Sequence, residues 1–239
     1  MIKSSEFVSK ARWIAEDLRT LYVMGSFGAP LNDVNKQRYI KNHDYNKAEA
    51  RKKKILAASA DTFGFDCVCL IKSILWNFAG DKTKTYGGAA YASNGVPDID
   101  ADQMIRHCSP SADFSQILPG EMLWKPGHAG IYIGDGLAVE CTPIWKDGVQ
   151  ITGVSNIGKK PGYNMRSWDK HGRLPWVDYS DPTPAYQDLD PKAWYYKYMV
   201  WAIEKGLITG YGDGTYRPND PVTRAQLATI LYRIMEENK

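Results

Sequence analysis

The sequence predicts an α+β domain over residues 1–179, followed by a linker and a small all-α helical hairpin over residues 180–239. Helix-spaced apolar residues dominate the first part of the chain, and short apolar runs broken by Gly and Pro begin at "GEMLWKPGHAGIYIGDGLAVECTP". Such runs are typical of antiparallel strands, and helices followed by strands predict α+β. The Pro-rich segment "LPWVDYSDPTPAYQDLDPKAW" has little periodicity and predicts a boundary near Ser180.

The first helix is predicted by the spacing of Phe7, Ala11 and Ile14. A long polar stretch follows, with eight Lys or Arg and two acidic residues between Lys36 and Lys54. We expect this stretch to form a solvated helix face, with contact to an anionic polymer as the alternative. The net charge of the whole chain is only +3, so charge does not predict a nucleic-acid partner.

The N-terminus "MIKSSEFVSKARWIAEDLRTLY" mixes acidic and basic residues and lacks the apolar core of a signal peptide. We therefore expect synthesis in the cytoplasm without a signal peptide. A run of about 18 apolar residues would be needed for a membrane span, and the sequence predicts none. Four cysteines are too few for a disulfide scaffold, although a Cys108–Cys141 pair stays open.

Two cysteines stand at the start of the next predicted helix, "GFDCVCLIKSILWNF". Asp66 is the predicted N-cap, which makes Cys67 the first helical residue, and Cys69 is predicted to be a core residue. Unpaired backbone N–H groups and the helix dipole then predict a Cys67 pKa lowered from about 8.5 to about 3.5–7.5. This identifies Cys67 as a candidate nucleophile, with a purely structural cysteine as the alternative.

A nucleophilic cysteine needs a base, and His128 is the candidate because it lies in the strand-like run "GHAGIYIG". Hairpin geometry gives two registers for the partner strand. With a two-residue turn, Glu140 would lie on the opposite face of the sheet from His128. With a three-residue loop, Gly130 pairs with Glu140, and His128 and Glu140 lie on the same face of the sheet. In the second register Glu140 orients the imidazole. A solvated Glu140 is the alternative.

The segment "PDIDADQMIRHC" alternates Asp98, Asp100 and Asp102 as calcium loops do, but it lacks the glycine such a loop needs. We expect helix capping there, and we expect the chain to need no metal and no organic cofactor.

"GFDCVCL" followed by "GHAGIYIGDGLAVECTP" resembles the NlpC-type family of papain-like cell-wall cysteine peptidases. The resemblance implies that Cys67 is the nucleophile, His128 the base and Glu140 the orienting residue. It also implies that Tyr22, in "LYVMG", and Asp66 of the motif line the substrate site. The chain departs from the family by Val-Cys in place of Ser-Gly, by Glu at the third position, and by an insertion between Tyr22 and Cys67.

The predicted C-terminal hairpin has one helix that ends at Gly206 and a second that starts with a capping box of Thr223 and Gln226. "GLITGYGDGTYRPNDPVTRAQLATILYR" resembles an S-layer homology module, a family that binds anionic secondary cell-wall polysaccharide. The resemblance implies polymer contacts at Arg224 and Trp194, with core packing of Trp194 as the alternative. A single module implies self-association as a homotrimer.

These resemblances predict a peptidoglycan hydrolase, similar to phage or prophage endolysins, that cleaves an amide bond of the stem peptide. By analogy with endolysins, it would act at the bacterial cell wall after release from the cell. Two alternatives remain: a catalytically inactive wall-binding protein, and a cysteine acyl-hydrolase acting on a small ester or thioester.

Overall fold

A computed structural model describes residues 1–180, 188–190, 193–205, 207–211 and 215–237. The chain forms two compact units, Met1–Pro182 and Thr183–Lys239. The predicted boundary near Ser180 lies just before the end of the first unit. The proposed linker residues 181–187 and the predicted helix end at Gly206 lie outside the described residues.

The first unit combines short helices with three sheets. Its helices are α1 (Ser4–Asp17), α2 (Asp33–Asn42), α3 (Asp44–Lys47), α4 (Glu49–Ala57), α5 (Cys67–Leu75) and α6 (Ala101–His107), with a 3₁₀ turn at Phe114–Gln116. Its strands are β1 (Ile2–Lys3), β2 (Thr20–Tyr22), β3 (Phe27–Pro30), β4 (Phe63–Phe65), β5 (Met122–Lys125), β6 (His128–Gly134), β7 (Leu137–Thr142), β8 (Gly148–Val154), β9 (Met165–Arg166), β10 (Lys170–Gly172) and β11 (Val177–Asp178). The architecture is mixed α and β.

The largest sheet has six strands in the order β10-β5-β6-β7-β8-β9, antiparallel except for the β8–β9 pair. A second sheet, β2-β4-β3, lies among the helices, so the predicted order of helices first and strands after is wrong for this part of the chain. These strands have only three or four residues, too few for an alternating pattern to stand out. Within this sheet Tyr22 pairs with Phe65, directly before α5.

Helix α5 lies at the centre of the core, and all nine of its residues are buried. It packs against β6 and β7, and the predicted α1 covers the same core with Phe7, Ala11 and Ile14, each fully buried. Cys69 is 4% exposed, so its predicted core position is confirmed. The N-terminus of α5 is thereby held rigidly against the large sheet.

In the second unit, the structure describes α7 (Tyr196–Glu204) and α8 (Arg224–Glu237). The predicted capping box is confirmed, because Gln226 N donates to Thr223 Oγ1 at 3.2 Å and Thr223 N donates to Gln226 Oε1 at 2.8 Å. Trp194 is 82% exposed, which rules out its packing in the core of this unit. Within the described ranges, no helix is both long and apolar enough to cross a bilayer.

Candidate active site

Asp66 fixes the start of α5, as the sequence predicts. Its Oδ1 accepts a hydrogen bond from Cys69 N at 2.7 Å, and its Oδ2 accepts one from Gly25 N at 2.7 Å. The side chain is buried, and both oxygens are engaged with backbone amides. We therefore assign Asp66 to positioning Cys67, whereas the resemblance implies substrate contact.

Cys67 lies against the beginning of β6. Its Sγ is 4.0 Å from the carbonyl oxygen of Gly127, and the backbone N–H of Ala129 also faces the sulfur. These two residues flank His128 in the chain, so the tertiary structure brings the candidate nucleophile to the candidate base. The two positions are 61 residues apart in the sequence.

The Cys67 thiol has a raised pKa, and the prediction of a lowered one is wrong. Burial, together with the smaller effect of the nearby Asp66 carboxylate, raises the pKa of Cys67 to about 12. The backbone N–H groups of Ala129, Val68 and Cys67 act in the opposite direction but do not compensate. The sequence pattern showed the helix start and could not show the desolvation, which is the larger effect. Cys67 is thus a neutral thiol at neutral pH.

His128 and Glu140 are joined by a hydrogen bond of 2.7 Å between Nε2 and Oε2. The strand register is the one predicted for a three-residue loop, with Gly130 opposite Glu140. Asp135 and Gly136 form a tight turn with positive φ angles, and an irregularity at Gly134 shifts the register by one residue. The two side chains consequently share one face of the sheet.

Glu140 is fully buried, and its carboxylate has three side-chain partners. Besides His128, Thr152 Oγ1 donates to Oε1 at 2.7 Å and Arg166 Nε donates at 2.8 Å. Burial alone would raise the pKa of Glu140, but the hydrogen bonds from His128 and Arg166 and their charges hold it below its usual value. A carboxylate only accepts hydrogen bonds, so His128 Nε2 carries the proton and the neutral ring has its lone pair on Nδ1. Nδ1 is the nitrogen that can act as a base.

Two tryptophans, Trp145 and Trp168, pack against the side chains that bind Glu140. Trp168 stacks on the His128 ring with a centroid distance of 5.3 Å and an interplanar angle of 8°. Gly130 leaves room for this stack, since a Cβ there would lie 2.9 Å from the Trp168 ring. The Arg166 guanidinium lies over Trp145 at 4.8 Å and over Trp168 at 5.7 Å. Trp168 is buried and covers one face of the imidazole, whereas Trp145 is exposed and contacts Arg166.

The insertion between Tyr22 and Cys67 forms α2, α3 and α4 and reaches the site through aromatic contacts. Tyr45 of α3 packs edge-on against Tyr22 with a centroid distance of 5.6 Å, and Arg51 of α4 lies 5.7 Å from each ring. Arg51 also forms a buried ion pair of 2.7 Å with Asp147, at the turn between β7 and β8. Most cations of the insertion are solvated as predicted, but Lys36 and Arg51 are buried.

Tyr22, which the resemblance implies to line the substrate site, lies near the candidate nucleophile. It is 6% exposed, and burial followed by the charges of Cys67 and Asp66 raises the pKa of its phenol well above the usual value. Arg166, Trp168 and Tyr45 are not among the site residues that the sequence predicts. Only the alternation of Arg166 and Trp168 along one short segment could have indicated the first two.

The three alternating aspartates have separate structural tasks. Asp98 pairs with Lys72, Asp100 caps α6 in a capping box, and Asp102 accepts hydrogen bonds from Trp124 Nε1 and Gly127 N at 2.9 and 2.8 Å. The predicted helix capping is confirmed at Asp100, and the described residues contain no cluster suited to a metal ion. All four cysteines are free thiols, which answers the open question about Cys108 and Cys141.

In the second unit, Arg224 is the first residue of α8 and is exposed, as is Trp194 ahead of α7. Residues 185–228 match the family model of the S-layer homology domain. The second unit contains an SLH domain. This match covers residues 185–228, so it identifies a domain of the second unit and carries no information about the first unit.

Relatives that match the chain are similar to it over segments of about fifty residues. They include a cellulosome-anchoring protein of Acetivibrio thermocellus, 35% identical over 53 residues, and an endoglucanase of a Bacillus species, 39% identical over 51 residues. The outer membrane protein SlpA of Thermus thermophilus is 33% identical over 52 residues. The matches cover 22%, 21% and 22% of this chain and 12%, 5% and 6% of the respective relatives. The chain thus spans only a small part of these relatives.

Proposed function

We propose that the chain is a cysteine hydrolase that cleaves an amide bond of the peptidoglycan stem peptide and is held at the cell wall by its SLH domain. The observation that carries this proposal is the placement of Cys67 at a helix start, against the strand that holds the His128–Glu140 pair. A nucleophile, a base and a third polar group that orients the base are the three parts of a papain-like hydrolase, and Glu140 takes the third place here.

In the proposed reaction, the neutral Cys67 thiol gives its proton to Nδ1 of His128 as its sulfur attacks the amide carbonyl carbon. A carbon–sulfur bond forms, and the tetrahedral intermediate collapses with loss of the amine, which takes the proton from His128. Water, deprotonated by His128, then attacks the thioester carbonyl carbon. The carbon–sulfur bond breaks, the acyl part leaves as a carboxylic acid, and the sulfur of Cys67 takes the proton back from His128. Glu140 remains ionised throughout and stabilises the imidazolium.

The oxyanion of the tetrahedral intermediate needs hydrogen-bond donors near the sulfur. At the start of α5, Cys69 N is occupied by Asp66 Oδ1 and Leu70 N by Asp66 O, whereas the N–H groups of Cys67 and Val68 face the sulfur. We propose that these two groups bind the oxyanion. A single donor of this kind contributes about 10²–10³-fold to the rate.

The proposed wall contact is made by the SLH domain with an anionic secondary cell-wall polysaccharide. Exposed Arg224 can donate charge-assisted hydrogen bonds to carboxylate or ketal oxygens, and exposed Trp194 offers a ring for a sugar face. The exposed apolar side chains of α8, including Leu231 and Tyr232, support association of three copies into a homotrimer.

The test is release of new amino groups from purified peptidoglycan by the full chain, with mass spectrometry of the fragments. Cys67→Ala should abolish release, whereas the matched control Cys108→Ala, at a buried thiol distant in sequence from Cys67, should retain it. Equal release by Cys67→Ala and the unmodified chain would exclude Cys67 as the nucleophile. No release from any form, with wall binding intact, would favour an inactive wall-binding protein, and turnover of small esters or thioesters alone would favour an acyl-hydrolase.

A further inference from the structure

A cavity of about 380 Å³ opens between α6, β5 and β10. Its apolar surface comes from Trp124 and Ile105, and its polar surface includes Arg106, Lys170 and Asp102. The volume falls within the range of about 300–1,000 Å³ typical of small-ligand sites.

The indole of Trp124 is held in place before any ligand arrives. Its Nε1 donates to Asp102 Oδ1 at 2.9 Å, and Lys170 Nζ lies 5.8 Å from the ring centroid. A ring fixed in this way loses little conformational entropy on binding. Trp124 is therefore a preorganised apolar surface for part of a ligand.

The charges around the cavity favour an anion. Arg106 and Lys170 are exposed, and neither forms an ion pair with a carboxylate in the described part of the chain. The carboxylate of Asp102 accepts from two N–H groups, those of Trp124 and Gly127. Two cations with no acidic partner, next to a fixed aromatic ring, suit a ligand with a carboxylate and an apolar portion.

The cavity and the candidate nucleophile lie on two sides of one short turn. Pro126 lines the cavity, and the next residue, Gly127, contacts Cys67 Sγ through its carbonyl oxygen at 4.0 Å. Asp102 lines the cavity and also fixes Gly127 N at 2.8 Å. The turn of Pro126 and Gly127 thus connects the cavity with the candidate nucleophile.

We propose that this cavity is a substrate subsite for a carboxylate-bearing residue of the wall peptide, with Arg106 and Lys170 binding the carboxylate and Trp124 packing against the apolar portion. The subsite rests on the proposed function, since it names a second contact for the same substrate. The size of the cavity favours one or two peptide residues over a polysaccharide chain.

The test measures binding without turnover, by calorimetry on the full chain carrying Cys67→Ala. The probes are soluble muropeptides prepared from peptidoglycan, and the same muropeptides with their carboxyl groups amidated. Amidation should weaken binding about 10- to 100-fold, which is the value of one or two charge-assisted hydrogen bonds. Adding Arg106→Gln and Lys170→Gln should weaken binding of the acidic muropeptides by a similar factor, so that acidic and amidated muropeptides bind equally. The control Lys159→Gln should leave the affinity for both probes unchanged.

Equal binding of both probes, or full discrimination in the double variant, would overturn the subsite. Loss of binding to purified anionic wall polysaccharide in the double variant, with muropeptide binding unchanged, would also overturn the peptide assignment. These outcomes are separable from failure of the proposed function. Amine release that depends on Cys67 but is unaffected by the double variant refutes only the subsite, whereas discriminating binding without amine release refutes only the hydrolase.

Discussion

His128 on β6 and Glu140 on β7 meet through a hydrogen bond of 2.7 Å, and Glu140 is fully buried beneath the imidazole. The contact depends on the pairing of Gly130 with Glu140, because a shift of one residue would turn Glu140 to the other face of the sheet. The pair has the geometry that orients a catalytic imidazole, and it is the basis of the first prediction.

Replacing Glu140 with Gln should lower the rate of amine release from peptidoglycan. The new amide could present an N–H group to His128 Nε2 and favour the tautomer that has the proton on Nδ1, which removes the base. We expect a loss of about 10²–10⁴-fold, the usual contribution of general acid–base catalysis. The control is Glu16→Gln, a carboxylate on the exposed face of α1 that is 51% exposed. Release by Glu140→Gln at the rate of this control would contradict the assigned role.

Arg166 is expected to act as a positioning residue through Glu140. Its Nε bonds to the Glu140 carboxylate, and its positive charge offsets that carboxylate. In Arg166→Met, the carboxylate loses this hydrogen bond and this positive charge, so the pKa of Glu140 should rise and the carboxylate should be protonated at a higher pH than in the unmodified chain. The acidic limb of the pH profile of kcat/KM should move to higher pH, and Arg166→Lys should move it back in part. A uniform loss of activity with an unchanged profile would indicate a purely structural role.

The thiol of Cys67 should react slowly with iodoacetamide at neutral pH. Its pKa is raised to about 12, so the thiolate fraction rises about tenfold for each pH unit throughout the range below that value. Mass spectrometry of the alkylated chain should show a rate at Cys67 that still increases between about pH 6 and pH 10. The variant Cys67→Ser lacks this thiol, so the alkylation signal that is absent from the variant belongs to Cys67. A rate that reaches a plateau near pH 7 would instead indicate a thiolate already formed.

Tyr45 is expected to contribute to substrate binding from the insertion. It is 41% exposed and rests on Tyr22 beside Cys67, so its free edge is available to the substrate. Tyr45→Ala should raise KM about 2- to 10-fold at similar kcat, in line with about 0.5–1.5 kcal/mol for an aromatic contact. Leu56→Ala on α4 is the matched control, because Leu56 is 42% exposed. Equal KM values for the two variants would remove Tyr45 from the site.

The SLH domain should lose wall binding when its exposed contacts are removed. We expect Arg224→Gln and Trp194→Ala each to weaken binding to purified wall polysaccharide, by about 10-fold for the charge-assisted hydrogen bonds of Arg224. Sedimentation of the protein with the polysaccharide measures this, and Tyr198→Ala, another exposed aromatic on the same unit, is the comparison for Trp194. Binding that is unchanged in both variants would place the polymer site elsewhere on the domain.

Much of the candidate site could be predicted from local sequence. Asp66 caps α5 through a hydrogen bond from the nearby Cys69 N, and the spacing of twelve positions allows a hairpin register in which His128 and Glu140 share a face. The capping box at Thr223 is likewise a contact over three residues. Each of these depends on the geometry of one helix turn or one hairpin, which short sequence patterns encode.

Other parts of the site depended on contacts between distant segments. Arg51 pairs with Asp147 across 96 positions, and Arg166 reaches Glu140 across 26, distances at which no local pattern fixes the partner. The raised pKa of Cys67 has the same origin, because desolvation depends on what the whole chain packs around the sulfur. The sequence by itself determined the start of α5 and the capping box at Thr223, and it limited the His128–Glu140 hairpin to two registers. The tertiary structure alone decided the protonation of the thiol, the partners of Glu140 and the packing of Tyr45 from the insertion against Tyr22. The reason is that burial and long-range charge are properties of the assembled core.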